Sequence, residues 1–286
     1  MPDFKIISDS GCDFTQDQLQ QLDVTRVPLS IVLNDQLSPD FATDAERKGL
    51  YDAIRGGAMP TTSAVNPDGW ASFMRPILDE GKDILCMVFS SALSTTYQSA
   101  VIAAQELIDE YPQRKIHVVD TLCAALGQGL LVWHACQKRD AGMDLDQVTE
   151  WVEENKLHIC HWVTVDDLFH LKRGGRVSTT TALVGTMLNI KPIIYLSDEG
   201  KLVSVSKARG RKAAMDQLVK KFADHVIDKE MVFIGHGDCP EDAEALAAIL
   251  REKHGVQNIQ IGYVGAVIGA HTGPGVLVVF FLGDHR

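Results

Sequence analysis

The stretch ILCMVFSSALSTTYQSA, residues 84–100, decides the fold. Its first six residues are apolar with no polar alternation, the pattern of a strand buried on both faces. Ser90 and Ser91 end the run, and residues 95–110 then read as a long helix. A fully buried strand that feeds a helix is the repeating piece of a parallel α/β sheet.

The same alternation extends in both directions. Residues 4–7, 31–33 and 116–119 read as further strands. Helices are predicted over 44–54, over a segment carrying Trp70, Phe73, Met74, Ile77 and Leu78 at helical spacing, and over 124–137. Continuous apolar strands between helices predict a parallel sheet covered on both faces, a three-layer α/β domain. The second half has a different texture. After a helix at 145–157 and the segment HICHWVTV, residues 191–196 and 202–206 form a hairpin joined by Ser197-Asp198-Glu199-Gly200. Helices at 212–227 and 241–253 alternate with strands at 231–235, 259–263 and 276–282. Hairpins mixed with helices predict a second, mixed-sheet α/β domain. The expected division is residues 1–160 and 161–286.

Composition limits the function. The 286 residues carry 27 Lys and Arg against 38 Asp and Glu, a formal charge of −11. That balance argues against nucleic-acid binding and against more than transient contact with an anionic membrane. The longest clean apolar run, 276–282, is far short of the ~20 residues that span a bilayer. No basic start followed by an apolar stretch is visible, so a cytoplasmic protein is expected. The six cysteines are scattered with no CxxC, and free, structural thiols are expected.

Three places combine hydroxyls, glycines or imidazole in a way that suits an anion. Ser90, Ser91, Ser94, Thr95 and Thr96 crowd the carboxyl end of the 84–89 strand, where open α/β sheets bind ligands and a helix start offers free N–H groups. A plain cap by Ser94 is the competing reading. Thr61-Thr62-Ser63 precedes a second helix start at Asn66-Pro67, and Pro67 suits the first turn of a helix. Gly269-Ala270-His271-Thr272-Gly273-Pro274-Gly275 reads as a rigid loop presenting His271 to a carboxylate or phosphate. A fourth feature is charge: residues 172–221 hold eleven Lys and Arg against three acids, a local excess of +8 in an otherwise acidic chain. A solvated face and an anionic partner are both compatible with it. There is no GxxxxGK[ST] and no GxSxG, so a nucleotide P-loop and a hydrolase elbow are not expected. His158, Cys160 and His161 have metal-ligand chemistry, but strand alternation puts His161 on the opposite face, so no metal is expected.

Taken together, SDSGCDF at 8–14, the Thr-Ser turn at 62–63, SSALSTTYQSA at 90–100, VVDT at 118–121, LKRGGRVS at 171–178, KPI at 191–193, ARGRKAA at 208–214 and AHTGPG at 270–275 resemble the DegV family. The likeness runs along nearly the whole chain. DegV proteins are fatty-acid-binding subunits of bacterial fatty acid kinase, and the resemblance implies the same here. A long-chain fatty acid would be the bound ligand, with no other cofactor and no catalytic residue in this chain. Its carboxylate would be held by Thr62 and Ser63, by Ser94 with Ser91 beside it and Thr95 next in line, and by His271. Arg173, Arg176 and Arg209 would dock the ATP-binding kinase subunit. The chain departs from the family pattern at Thr95, where glycine is usual, and at Ala64-Val65-Asn66-Pro67, where Gln-Pro-Ser usually follows the Thr-Ser turn. Two other classes stay open at this point. One is a ligand-sensing regulator, and the other an independent phosphotransferase or hydrolase using Ser94 or His271.

Overall fold

A computed structural model describes residues 4–177 and 189–286. Ser178, which ends the 171–178 motif, lies outside the described residues. The strands in chain order are β1 (Phe4–Asp9), β2 (Val24–Val27), β3 (Ser30–Leu33), β4 (Gln36–Pro39), β5 (Thr61–Ser63), β6 (Asp83–Val88), β7 (Ile116–Asp120), β8 (Ile159–Thr164), β9 (Ile190–Leu196), β10 (Leu202–Arg209), β11 (Val232–His236), β12 (Ile259–Tyr263) and β13 (Leu277–Leu282). The helices are α1 (Gln16–Gln21), α2 (Asp44–Arg55), α3 (Pro67–Asp79), α4 (Thr96–Glu110), α5 (Ala125–Asp140), α6 (Leu145–Asn155), α7 (Phe169–Arg173), α8 (Arg211–His225), α9 (Pro240–His254) and α10 (Ala266–Thr272).

The first sheet is parallel with order β2-β1-β6-β7, and the second has order β10-β9-β8-β13-β11-β12. The second is mixed: β11 and β12 run parallel, and every other neighbouring pair is antiparallel. The expected fold class is therefore observed. Strand alternation distributes the faces. On β6, Ile84, Cys86 and Val88 pack with Trp70, Met74 and Ala103 of α3 and α4. Leu85 and Met87 point the other way, into a core shared with α5. That core also contains Val163, Ile194, Phe233, Val278 and Phe280 from the second sheet. The opposite face of the second sheet, with Cys160, Trp162, Val279 and Phe281, packs against α8 and α9. Helix α5 thus lies between the two sheets and is buried nearly all round. Its glycines permit the close fit: a Cβ on Gly127 would lie 2.2 Å from His161 Nε2.

The first half differs from the sequence reading at β3 and β5. The strand near residues 31–33 is not in the parallel sheet. It is the centre of a separate antiparallel sheet of order β4-β3-β5, packed on α2 and α10 through Ile31, Leu50, Ile54, Ala266 and Ala270. Its place in the parallel sheet is taken by β2, whose VTRV sequence shows little hydrophobic periodicity. The Thr61–Ser63 segment is likewise a strand, with Thr62 opposite Ile31, and not only a turn.

Candidate functional site

A cavity of about 670 Å³ opens where the carboxyl end of β6 meets the start of α5 and the inner face of the second sheet. Ligand pockets commonly enclose ~300–1,000 Å³. The cavity has two ends of different chemistry. One is lined by Thr62, Ser63, Ser91, Ser94, Thr95 and His271, so the structure brings every sequence-predicted carboxylate residue to a single place.

The turn between β6 and α4 is built by its own hydroxyls and by the SDSGCDF segment. The buried Asp9 carboxylate accepts from the Phe89 N–H at 2.7 Å and from Gly11 N–H at 2.9 Å. Burial pushes Asp9 up to about 6 in spite of those bonds. Ser90, fully buried, donates to the Gly200 carbonyl at 2.9 Å, which ties the turn to the β9–β10 hairpin. Backbone N–H groups of Leu93 and Ser94 both reach the Ser90 carbonyl, closing a tight turn. Helix α4 then begins at Thr96. Thr95 occupies the cap position without a side-chain cap bond, and Ser94 Oγ accepts from Thr96 N–H at 3.3 Å. Ser94 is half-buried, while Ser91 and Thr95 are exposed at the rim. The second expected helix start is observed as read: Asn66 caps α3 by accepting from Gly69 N–H at 2.7 Å, with Pro67 in the first turn.

His271 does not sit in a loop. It lies in the last turn of α10, whose small-residue sequence AVIGAHT and flanking glycines conceal a helix from sequence patterning. Its Nε2 lies 2.8 Å from Thr62 Oγ1. Burial, with the nearby Arg176 and Arg173 charges, lowers the imidazole to about 4, so His271 is neutral near pH 7. Its other nitrogen packs on Gly174, where an added Cβ would approach Nδ1 to 2.3 Å.

The arginines separate. Arg173 donates to the Ala270 carbonyl at 3.2 Å, bracing α10 from α7. Arg176 lines the cavity mouth, with Nε donating to Leu93 O at 3.4 Å and Nη1 donating to Gly174 O. Arg209 is exposed at the end of β10 and is not among the lining residues. Three residues expected on one docking surface therefore differ in environment.

The apolar end was not read from sequence. Val163, Ile194, Leu196, Leu202, Val278 and Phe280 come from the second sheet, with Ala124 and Ala125 from the start of α5. In sequence they look like ordinary core strand positions. His161 is also there. It is pressed down to about 3, chiefly by burial, and its hydrogen bonds are internal: Ala124 N–H donates to Nε2 at 3.2 Å, and Nδ1 lies 2.9 Å from Ile159 O. Its ring faces this cavity, and the sequence reading that kept it apart from Cys160 agrees with Cys160 packing on the α8 side.

The model of the family described as "Uncharacterised protein, DegV family" matches residues 3–284. The chain belongs to the DegV family. It is 43% identical to a DegV domain-containing protein of Clostridium perfringens, over 100% of this chain and 99% of that one. Among solved structures, a DegV family protein from Thermus thermophilus described by its fatty acid binding is 31% identical, with TM-score 0.86, over 97% of this chain and 98% of that chain. A stearic-acid-binding protein from Eubacterium ventriosum is 25% identical, with TM-score 0.87, over 97% of each chain. The parallel sheet and separate mixed sheet of this DegV chain match those of such relatives. Among its described residues, no helix is long and apolar enough to cross a membrane.

Proposed function

We propose that this DegV-family protein binds one long-chain fatty acid in the cavity, acyl chain toward the second sheet and carboxylate toward Thr62, Ser94 and His271. The observation that carries the reading is the Thr62–His271 hydrogen bond in a cavity whose lining is otherwise mainly apolar. Each methylene taken from water contributes about 0.8 kcal/mol, so the tail supplies most of the affinity. A buried carboxylate is costly unless hydrogen-bonded. With His271 Nε2–H donating to Thr62 Oγ1, the Thr62 hydroxyl is free to donate to the carboxylate, together with the Ser94 hydroxyl and N–H groups at the start of α4, without a permanent ion pair. Ser63, Ser91 and Thr95 rim the mouth and leave the head group open to a second protein. Burial keeps His271 neutral at pH 7, so it orients the Thr62 hydroxyl as a neutral imidazole.

The bound carboxylate is then presented to a separate ATP-dependent fatty acid kinase. Its oxygen attacks the γ-phosphorus of ATP on that partner, giving acyl phosphate and ADP. The protein supplies the acyl substrate and not the catalysis. Arg209, and the outer faces of Arg173 and Arg176, would meet the partner. The enzyme alternative needs a base on Ser94, yet the ring of His271 is engaged by Thr62. We place the protein in the cytoplasm on this reading.

Mass spectrometry of an organic extract of the purified chain tests ligand binding, with one long-chain fatty acid per chain expected. A stoichiometric nucleotide or sugar phosphate in its place overturns the reading. Incubation with ATP and Mg²⁺ separates presentation from catalysis: acyl phosphate should form only when a fatty acid kinase subunit is added.

A further inference from the structure

Distant from the carboxylate end, the segment after β13 folds back on the end of α8. There the geometry points to a binding site for a divalent first-row transition metal, of the zinc class, formed by His225, Asp284 and His285. Asp284 Oδ1 lies 3.2 Å from His225 Nδ1 and 2.9 Å from His285 Nδ1, and the three ligand atoms all fall within 4.8 Å of one another. Ligands at ~2.0–2.2 Å from a tetrahedral zinc are about 3.3–3.6 Å apart, so small side-chain shifts would admit the ion. Two imidazoles and one carboxylate suit zinc, cobalt, nickel or copper and not the oxygen-seeking magnesium or calcium.

The site is held in place by its backbone. Gly283 N–H donates to His158 O at 2.8 Å, and Asp284 N–H donates to His225 O at 2.9 Å. The His225 ring stacks on Trp162, with centroids 6.1 Å apart and planes within 9°. The next residue, Arg286, is anchored by its guanidinium to the carbonyls of Leu122, Ser197, Lys156 and Ile159 and to Cys123 Sγ. Binding thus asks for little ordering of the ligands, the usual entropic cost of a site on a chain segment. A metal there would clamp the segment whose Arg286 holds the carbonyl of Leu122, just ahead of the Ala124 and Ala125 that line the cavity. Among the described residues, this trio brings three ligand atoms together, whereas His158 Nδ1 and Cys160 Sγ are taken up by the carbonyls of Gly283 and His285, and His161 turns to the opposite face.

Titration of the full, tag-free chain with zinc chloride, read by calorimetry, tests the site. One zinc per chain is expected, with affinity falling more than about 10-fold in both His285→Ala and Asp284→Asn, and falling as pH is lowered because protons compete for imidazole. Both side chains are largely exposed, so the variants should keep the metal-free thermal midpoint of the parent. Cobalt in place of zinc should give an N/O-ligand visible spectrum without thiolate charge transfer, and copper should quench Trp162 fluorescence in the parent but not in His285→Ala. Equal zinc affinity in the parent and both variants, a thiolate–cobalt spectrum, or no binding at millimolar zinc would each overturn the assignment.

Discussion

Thr62 Oγ1 and His271 Nε2 are 2.8 Å apart, although 209 residues separate them in the chain. The contact joins a strand of the small antiparallel sheet to the end of a seven-residue helix, two elements brought together by the packing of Ile31 against Ala266 and Ala270.

Removing either partner should weaken fatty-acid binding by about 1–3 kcal/mol, the cost of taking one hydrogen bond from a charged, buried acceptor. Thr62→Val and His271→Ala should be non-additive, since each loses the shared bond. Ser94→Ala should weaken binding by a similar amount, and Cys160→Ala should not change it. A fluorescent fatty-acid displacement assay on the four single variants and the double variant measures this. Parental affinity in both Thr62→Val and His271→Ala would remove the site from this place.

Gly174→Ala should act on the same residue by crowding. The new methyl would lie 2.3 Å from His271 Nδ1, while the backbone at 174, outside the positive-φ region, accepts alanine without strain. Fatty-acid affinity should fall at least about as far as in His271→Ala, and the thermal midpoint should drop, since overpacking costs ~1–3 kcal/mol.

Acid should destabilise the protein partly through its buried imidazoles. His271 and His134 are held near 4 and His161 near 3, below the ordinary 6.5, because burial disfavours the imidazolium. As pH falls from 6.5 toward 4 the unfolded chain takes up protons that the native state refuses, so stability is lost across that window. Buried Asp13, pushed up to about 8, works in the opposite sense and loses its contribution as pH rises toward 8. The difference between the parent and His271→Gln isolates one group. That gap should narrow by roughly 2 kcal/mol between pH 7 and pH 4 in chemical denaturation.

Charge reversal at Arg209 should leave fatty-acid binding intact and impair kinase-dependent phosphorylation, because exposed charges govern association and its salt dependence. Raised salt should partly reproduce the defect in the parent as the Debye length shrinks from ~10 Å at 0.1 M to ~3 Å at 1 M. Arg176→Glu should differ by also weakening fatty acid, since Arg176 lines the mouth. An Arg209→Glu chain with full activity alongside the kinase removes this surface from the proposed docking face.

The polar end of the site was legible because it is local: five hydroxyls at one strand-to-helix turn exceed what capping uses, and glycines around a lone histidine mark a close approach. The family motifs added their relation to one another. What hid from sequence depends on distant pairing. Strand β5 is three residues long, and its Thr62 pairs with Ile31, 31 residues earlier. Strand β2 carries Thr25 and Arg26 between two valines and so lacks the apolar run of its neighbours. The apolar part of the cavity is invisible for a different reason: a Val or Phe facing a cavity has the same local pattern as one facing a packed core. Arg176 shows the limit of charge counting, which found the basic segment but not which of its members turns toward the mouth.

Helix α5, wedged between the two sheets, would constrain how the proposed acyl ligand comes and goes. Swinging one sheet away from the other would strip one side of that helix of its packing, at ~25 cal/mol for each Å² of apolar surface exposed. Hinge opening is therefore an expensive route. Traffic is left to the short pieces around the mouth, α7, the end of α10 and the turn before α4. The rate of ligand exchange should follow substitutions in those pieces, while substitutions along α5 should change how firmly the molecule holds together without changing how quickly it trades its cargo.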